Sequence, residues 1–313
     1  EASINIDSRL LSRNLVPILL LATVGLLIST VIVGFGISAV TPLTLGAALV
    51  FGALISATDP VAVIALFKEL GVPKRLSTLV DGESLFNDAT AIVVFNILIV
   101  IITTGTAFSA SVVISGVGQF LLVFIGGLLA GVTLGAAMLW IIALERSDHM
   151  VQAALTSVLA YLAFIVAEHL LEVSGVMAVV AAGILTSWAG MRVFDDSMRR
   201  YLTEFWELMA FLANSMIFLL MGLTEYHLFA DLGRYNDTLG YILIGFMLTI
   251  IARFLVVYGL TPLANRLAPK ARVERDDKAV IFWGGLRGAI PLALALGLPA
   301  DFEHRIMIID LTL

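Results

Sequence analysis

The sequence contains no cysteine and is poor in charge. Because none of its 313 residues is cysteine, disulfide bonds, thiol nucleophiles and thiolate metal sites are excluded. Charged residues make up only 13% of the chain, about half the share of a typical soluble domain. The composition therefore argues against an ordinary soluble globular protein.

Histidine is also scarce. The four histidines, His149, His169, His227 and His304, fall at or near predicted loops, and the chain has no HExxH motif. No histidine accompanies Ser84, a hydroxyl beside the acidic residues described below, on its predicted helix. An intramembrane hydrolase is therefore disfavoured, and we expect no enzyme activity, no cofactor and no nucleic-acid partner.

Apolar residues dominate instead, at 60% of the chain, with a mean hydropathy of +1.05. The apolar runs are continuous rather than alternating, which predicts spanning helices of about 20 residues each. We expect an all-α, multi-pass integral membrane protein of the plasma membrane. The runs predict nine complete spans and part of a tenth, near residues 14–37, 43–68, 79–103, 111–144, 150–170, 173–190, 203–223, 239–264, 277–299 and from 303.

Basic residues are distributed unevenly among the predicted loops. If the loop after the second span is cytoplasmic, fourteen of the 18 Lys and Arg residues lie in cytoplasmic loops. The opposite loops contain only Arg234 and Arg305. This asymmetry follows the positive-inside rule and predicts that the first span runs from the cytoplasm outwards.

Five charged residues fall inside the apolar spans: Asp59, Glu83, Asp88, Arg253 and Arg287. Each costs about 2.5–3.5 kcal/mol at bilayer depth. They are interpreted either as salt bridges that hold the helices together or as an intramembrane ion or proton site. We favour the second interpretation, because apolar residues assemble a bundle at lower cost. Their net charge of −1 matches one monovalent cation or one proton.

The third span carries acidic residues in the stretch DGESLFNDAT, residues 81–90. Ser84 and Asp88 are four residues apart and share one helix face, while Glu83 and Asn87 share another. The first face offers hard oxygen ligands for a small cation. The second face offers a partner for a buried arginine, and we expect Glu83 to pair with Arg253.

Two spans carry signals that interrupt a helix. In SATDPVAV, residues 56–63, Pro60 removes a backbone donor and disfavours helical backbone at Asp59. In WGGLRGAIP, residues 283–291, three glycines and a proline surround Arg287. The two breaks lie in three-span groups of opposite orientation, which predicts an inverted repeat of the kind found in secondary transporters.

These residues resemble the monovalent cation:proton antiporter family, specifically sodium/proton exchangers of the electroneutral type. The matching stretches are SATDPVAV, DGESLFNDATAIVVF, IAR at 251–253 and GGLRGAIPLAL at 284–294. The resemblance implies exchange of a monovalent cation for H⁺ by alternating access, with a 1:1 stoichiometry and a role in pH homeostasis. We expect Na⁺, although the same oxygen ligands also serve Li⁺ and K⁺.

The resemblance also implies the domain organisation. Residues 1–105 and 226–313 would form the two repeats of a core transport domain that contains two discontinuous, crossing helices. Residues 106–225 would form part of a dimerisation domain, and the full-length protein would be a homodimer. The chain starts at Glu1 and stops within an apolar run, so we expect a fragment that lacks the family's first three helices.

The family's site residues carry over onto matching positions. Asp88 resembles the essential ion- and proton-binding aspartate, and the resemblance implies Na⁺ binding at Asp88, Asp59, Ser84 and Thr58. Glu83 would pair with an arginine and reach the ion through water.

Three further residues would support the site. Asn87 stands where the electrogenic branch has an aspartate, which implies that a single carboxylate carries the exchange. Arg253 would be the partner of Glu83. Arg287 would lie beside the helix breaks and offset their carbonyl ends.

A carboxylate-lined monovalent cation channel is the alternative function. Nothing in the sequence resembles a carbonyl selectivity filter, and paired helix breaks fit alternating access better than a continuous pore. Transport measurements separate the two, because a channel does not couple a proton gradient to cation uptake.

Overall fold

The computed structural model describes residues 3, 6–105, 110–144, 148–229, 236–285 and 288–312. The described residues are almost entirely helical and contain no β-strand. In chain order the main helices are α1 (Ser8–Arg13), α2 (Leu15–Val40), α3 (Leu45–Ile55), α4 (Val61–Leu70), α5 (Lys74–Thr103), α6 (Ala110–Leu144), α7 (His149–Leu170), α8 (Gly175–Val193), α9 (Asp196–Phe229), α10 (Asn236–Leu267), α11 (Arg275–Gly284), α12 (Ala289–Leu296) and α13 (Arg305–Thr312).

The helices follow the predicted spans in order. Six of them, α2, α5, α6, α7, α9 and α10, are long and apolar enough to cross a membrane. Helices α3 and α8 contain shorter apolar stretches. The second and ninth predicted spans each consist of two short helices, α3 with α4 and α11 with α12. The prediction of a multi-pass helical membrane protein is confirmed.

Helix starts and ends follow from local capping. The side chains of Thr44, Asp148 and Ser174 accept hydrogen bonds from the first-turn N–H groups of α3, α7 and α8. These side chains replace partners that the helix itself lacks at its N-terminus. Helix α4 ends at Gly71, whose φ of 65° is a left-handed conformation that glycine adopts without strain.

The chain forms two compact units. Unit 1 comprises residues 1–12 and 108–214, and unit 2 comprises residues 13–107 and 215–313. Compactness does not reveal which unit carries the ion, so the functional domain boundaries given above stay predictions.

In unit 1, a row of glycines on α6 packs against α8. A Cβ atom on Gly131 would collide with the backbone of Ala178, and one on Gly127 would lie 2.5 Å from the carbonyl oxygen of Ser174. Gly135 packs in the same way against Ala182. Small residues at such spacing let two helix backbones approach closely, which is how helices associate where water does not drive them together.

Unit 2 has an apolar core that draws five helices together. Leu21 of α2, Phe67 of α4, Val80 of α5, Val256 of α10 and Ile281 of α11 belong to one buried cluster. This cluster packs the helices that carry the acidic stretch, Arg253 and the second break around a shared centre.

Candidate ion-binding site

The first helix break lies between α3 and α4. Helix α3 ends at Ile55 and α4 begins at Val61, and residues 57–60 between them adopt no regular structure. Pro60 explains the break, because it lacks an N–H group and restricts the residue before it. Ser56 follows the last residue of α3, and its hydroxyl donates to the carbonyl oxygen of Gly52 at 2.6 Å.

Helix α5 contacts this break through Ser84. The Ser84 hydroxyl donates a hydrogen bond to the backbone carbonyl oxygen of Thr58 at 2.6 Å, and both residues are buried. Asp88 lies one helical turn further along the same face of α5. The structure thus brings the predicted residues Thr58, Ser84 and Asp88 to one side of α5.

Three oxygen atoms in this region lack hydrogen-bond partners among the described residues. They are Asp88 Oδ1, Thr58 Oγ1 and Asn87 Oδ1, and all three are inaccessible to solvent. Buried polar atoms without partners are rare, and each calls for an explanation such as an ion or a water molecule. Oxygen ligands of this kind suit a hard cation.

Asp59, the fourth predicted ion ligand, lies where the two breaks meet. The second break separates α11, which ends at Gly284, from α12, which begins at Ala289. A Cβ atom on Gly288 would collide with the side chain of Asp59. The residue before α12 therefore packs directly against the residue before Pro60. The carboxylates of Asp59 and Glu83 both interact electrostatically with that of Asp88.

Glu83 is neutralised by Arg253, as the sequence predicts. Arg253 Nη1 donates to Glu83 Oε1 at 2.7 Å and Nη2 donates to Oε2 at 2.9 Å, so the pair is bidentate. Only 2% of Glu83 and 6% of Arg253 are exposed. Asn87 Nδ2 approaches Glu83 Oε1 at 3.5 Å, which is a long contact. A buried bidentate pair of this kind fixes the orientation of the Glu83 side chain.

Sequence reasoning missed the third partner of Arg253. Its Nη2 also donates to the carbonyl oxygen of Ile281 at 2.7 Å. Ile281 lies in the last turn of α11, where carbonyl groups have no partner within the helix. The break at the end of α11 thus supplies the acceptor, and no sequence signal marks this particular carbonyl.

The second break also requires a glycine beside this ion pair. A Cβ atom on Gly285 would lie 2.5 Å from Arg253 Nε and 2.8 Å from Cζ. The guanidinium group therefore packs against bare backbone at Gly285. Arg287, the remaining predicted site residue, lies outside the described residues.

The candidate site brings together two carboxylates with hydroxyl and carbonyl oxygens. In the described part of the chain, no group of three or more His, Asp or Glu side chains is placed to hold a metal ion.

Fold and site together define a helical membrane protein with buried acidic residues beside two interrupted helices. The family model for the transmembrane sodium/hydrogen exchanger matches residues 1–311. The chain belongs to this family. It is a family of transporters, so a classical enzyme activity is not indicated.

Individual relatives show the same relationship. The Na⁺/H⁺ antiporter ApNhaP of Aphanothece halophytica is 39% identical over 313 residues, which cover 99% of this chain and 58% of that protein. The Na⁺/H⁺ antiporter NhaH of Halobacillus aidingensis is 36% identical over 293 residues, which cover 93% of this chain and 70% of the relative. This chain therefore spans little more than half the length of the first relative.

A solved structure shares the fold. The sodium proton antiporter MjNhaP1 from Methanocaldococcus jannaschii, solved at pH 8, superposes with a TM-score of 0.74 at 23% sequence identity. The match covers 99% of this chain and 75% of that structure. The predicted antiporter fold is confirmed by this match.

Proposed function

We propose that the protein exchanges Na⁺ for H⁺ across the plasma membrane. Support comes from relatives named Na⁺/H⁺ antiporters and from the chemistry of the described site. Na⁺ and H⁺ would be substrates, and the protein would need no cofactor.

One observation carries the proposal. Two of the three carboxylates on α5, those of Glu83 and Asp88, differ in their surroundings. Both carboxylate oxygens of Glu83 are occupied by its bidentate pair with Arg253. Asp88 keeps a buried Oδ1 atom that accepts no hydrogen bond from any described residue. A buried carboxylate oxygen without a hydrogen-bond donor can bind one proton or one cation, and exchange requires a group that binds either.

We propose that Asp88 takes up Na⁺ and H⁺ in competition, with Asp59, Ser84 and Thr58 as further Na⁺ ligands. An oxygen site that either ion neutralises, and that opens alternately to the two sides, couples their movements in opposite directions. Asn87 carries an amide and no acid, so one carboxylate would exchange one proton for one cation. The exchange would then be electroneutral.

We further propose how the parts would move. Residues 1–105 and 226–313 would form the transport domain, in which the interrupted helices cross, and residues 106–225 would belong to the dimerisation domain of a homodimer. The meeting of the breaks at Asp59 and Gly288 supports this arrangement, because a site built from helix ends changes its access when those ends shift.

Proton movement in liposomes tests the proposal. The purified protein is reconstituted, a pH gradient is imposed, and its dissipation is followed on addition of Na⁺. We expect Asp88→Asn to abolish the response, while Asp81→Asn, the same change on the same helix, leaves most of it. Retained exchange in Asp88→Asn would contradict the assignment. Na⁺ flux without any proton movement would indicate a channel. A rate that follows an imposed membrane potential would contradict electroneutrality.

A further inference from the structure

The glycine at position 288 lies closer to Asp59 than any side chain permits. A Cβ atom built on Gly288 would overlap the Cβ, Cγ and Oδ2 atoms of Asp59. Such distances do not occur between real Cβ atoms and their neighbours, so a substitution at 288 must displace one of the two helix breaks.

The backbone at this position does not itself require glycine. Gly288 has φ −112° and ψ −160°, an extended conformation that every residue adopts. Gly71, by contrast, has φ 65° and needs glycine for its conformation. Glycine is therefore needed at 288 for space alone, and the space is filled by Asp59.

Asp59 has little freedom to move out of the way. A change of rotamer relieves a clash with Oδ2, but it does not move Cβ, which is fixed to the backbone. The backbone of Asp59 is itself restricted by Pro60. Relief must come from a backbone shift at one of the two breaks, and a shift of the first break changes where the Asp59 carboxylate lies relative to Asp88.

We propose that Gly288 is a specificity-determining residue of the exchange reaction. Because it has no side chain, the second break packs against Asp59 and sets the position of the Asp59 carboxylate. This position selects the size of the cation that Asp59 and Asp88 bind together. This inference rests on the proposed function, because it assumes that Asp59 and Asp88 bind the transported cation. Gly288 acts through Asp59 and makes no contact of its own with the ion.

The same glycine-rich run provides matched controls. A Cβ atom on Gly284 would meet the side chains of Val80 at 3.5 Å and Val63 at 3.6 Å, which are ordinary contacts. A Cβ atom on Gly285 would press on Arg253 and not on Asp59. Three glycine-to-alanine changes within five residues therefore test three different neighbours.

The experiment compares Gly288→Ala, Gly285→Ala and Gly284→Ala in liposomes. For each variant, the apparent KM for Na⁺ and for Li⁺, the maximal rate and the melting temperature are measured. In Gly288→Ala we expect the KM for Na⁺ to rise on the order of tenfold, because relief of the overlap needs a shift on the order of 1 Å, which misplaces one ligand. The ratio of the Na⁺ and Li⁺ KM values should change, because the two cations differ in radius. Gly284→Ala should keep both values.

The outcomes separate the inference from the function. If the unaltered protein exchanges Na⁺ for H⁺ and Gly288→Ala keeps both KM values, the inference is wrong and the function stands. If the unaltered protein shows no exchange, the proposed function fails first. A lower rate and melting temperature with unchanged KM values would assign Gly288 a purely structural role, and would also overturn the inference.

A stability measurement tests the inference if Gly288→Ala is too unstable for transport assays. Asp59→Gly removes the Cβ atom that the new side chain strikes. We expect the melting temperature lost in Gly288→Ala to be largely recovered in the Asp59→Gly, Gly288→Ala double variant. An equal loss with and without Asp59 would show that the collision lies elsewhere, and would contradict the inference.

Discussion

The two units hold their helices together by different means. Unit 1 uses bare glycines, with Gly127, Gly131 and Gly135 of α6 against the backbone of α8. Unit 2 also uses close glycine contacts, at Gly34 and Gly52, but adds charge. Among the described residues, the two fully buried charged side chains, Glu83 and Arg253, both lie in unit 2.

This difference shows which interactions a membrane-embedded helix bundle needs in order to assemble. Among its described residues, unit 1 brings helices together without a buried charged side chain, so buried charge is not required for helix association. The charged residues of unit 2 carry an insertion cost that packing does not demand. Their presence therefore points to a role in ion handling, and the comparison makes unit 2 the place to look for transport chemistry.

The largest expected effect is on the stability of unit 2. Arg253→Ala leaves Glu83 buried without a counter-charge and strands the carbonyl oxygen of Ile281. Removal of one partner from a buried ion pair costs about 3–5 kcal/mol. Unfolding in detergent with increasing denaturant measures this loss.

Glu83→Gln provides the matching rescue. In the Arg253→Ala, Glu83→Gln double variant the uncompensated charge is gone, so we expect part of the stability to return. If Arg253→Ala alone leaves the unfolding curve unchanged, then charge is as dispensable in unit 2 as in unit 1, and the contrast between the units disappears.

A smaller effect is expected from glycine packing in unit 1. Gly131→Ala forces a methyl group into the backbone of Ala178, and overpacking of this kind costs about 1–3 kcal/mol. Gly118→Ala on the same helix is the control, because no atom lies within 4 Å of its added Cβ. We expect the control to be neutral or slightly stabilising, since alanine favours helix. Equal melting temperatures for the two variants would refute close packing as the basis of unit 1.

The smallest expected effect is at the exposed N-terminus of α9 in unit 1. Asp195 accepts hydrogen bonds from the Met198 N–H group at 2.7 Å and the Ser197 hydroxyl at 2.8 Å. These bonds hold the pKa of Asp195 below its ordinary value. A lowered pKa means that the stabilisation is present above the unfolded-state pKa and is lost as the pH falls through the folded-state pKa.

Asp195→Asn removes the stabilisation that the charged carboxylate adds above its unfolded-state pKa. We therefore expect a slightly lower melting temperature at neutral pH, little change at acid pH, and a flatter acid limb. Melting temperature measured between about pH 3 and pH 7, the range around a carboxylate's ordinary pKa, checks this expectation. A large change at neutral pH would contradict it, and would mean that unit 1 also depends on charge.

Much of the architecture was predictable because it depends on local sequence. Apolar runs predict helices, and Pro60 predicts the first break, since both effects act within a few residues. The pairing of Glu83 with Arg253 was predictable for a different reason. A buried arginine needs a carboxylate, and Glu83 shares its helix face with a neutral Asn87.

Other features were not predictable from the sequence. In the sequence, Gly285 and Gly288 both look like helix breakers. In the structure, Gly285 packs against Arg253 and Gly288 packs against Asp59. The carbonyl of Ile281 has nothing in its own sequence to mark it as an arginine partner. In each case the neighbour comes from a distant part of the chain.

By itself, then, the sequence determined that this chain is a helical membrane protein, where its helices break, and which charged residues the bilayer must accommodate. Only the tertiary structure decided which backbone carbonyl Arg253 also contacts and which glycine faces which residue. The physical reason is range: helix propensity and hydropathy act between neighbours, whereas Gly288 and Asp59 lie in distant parts of the chain and meet only through packing.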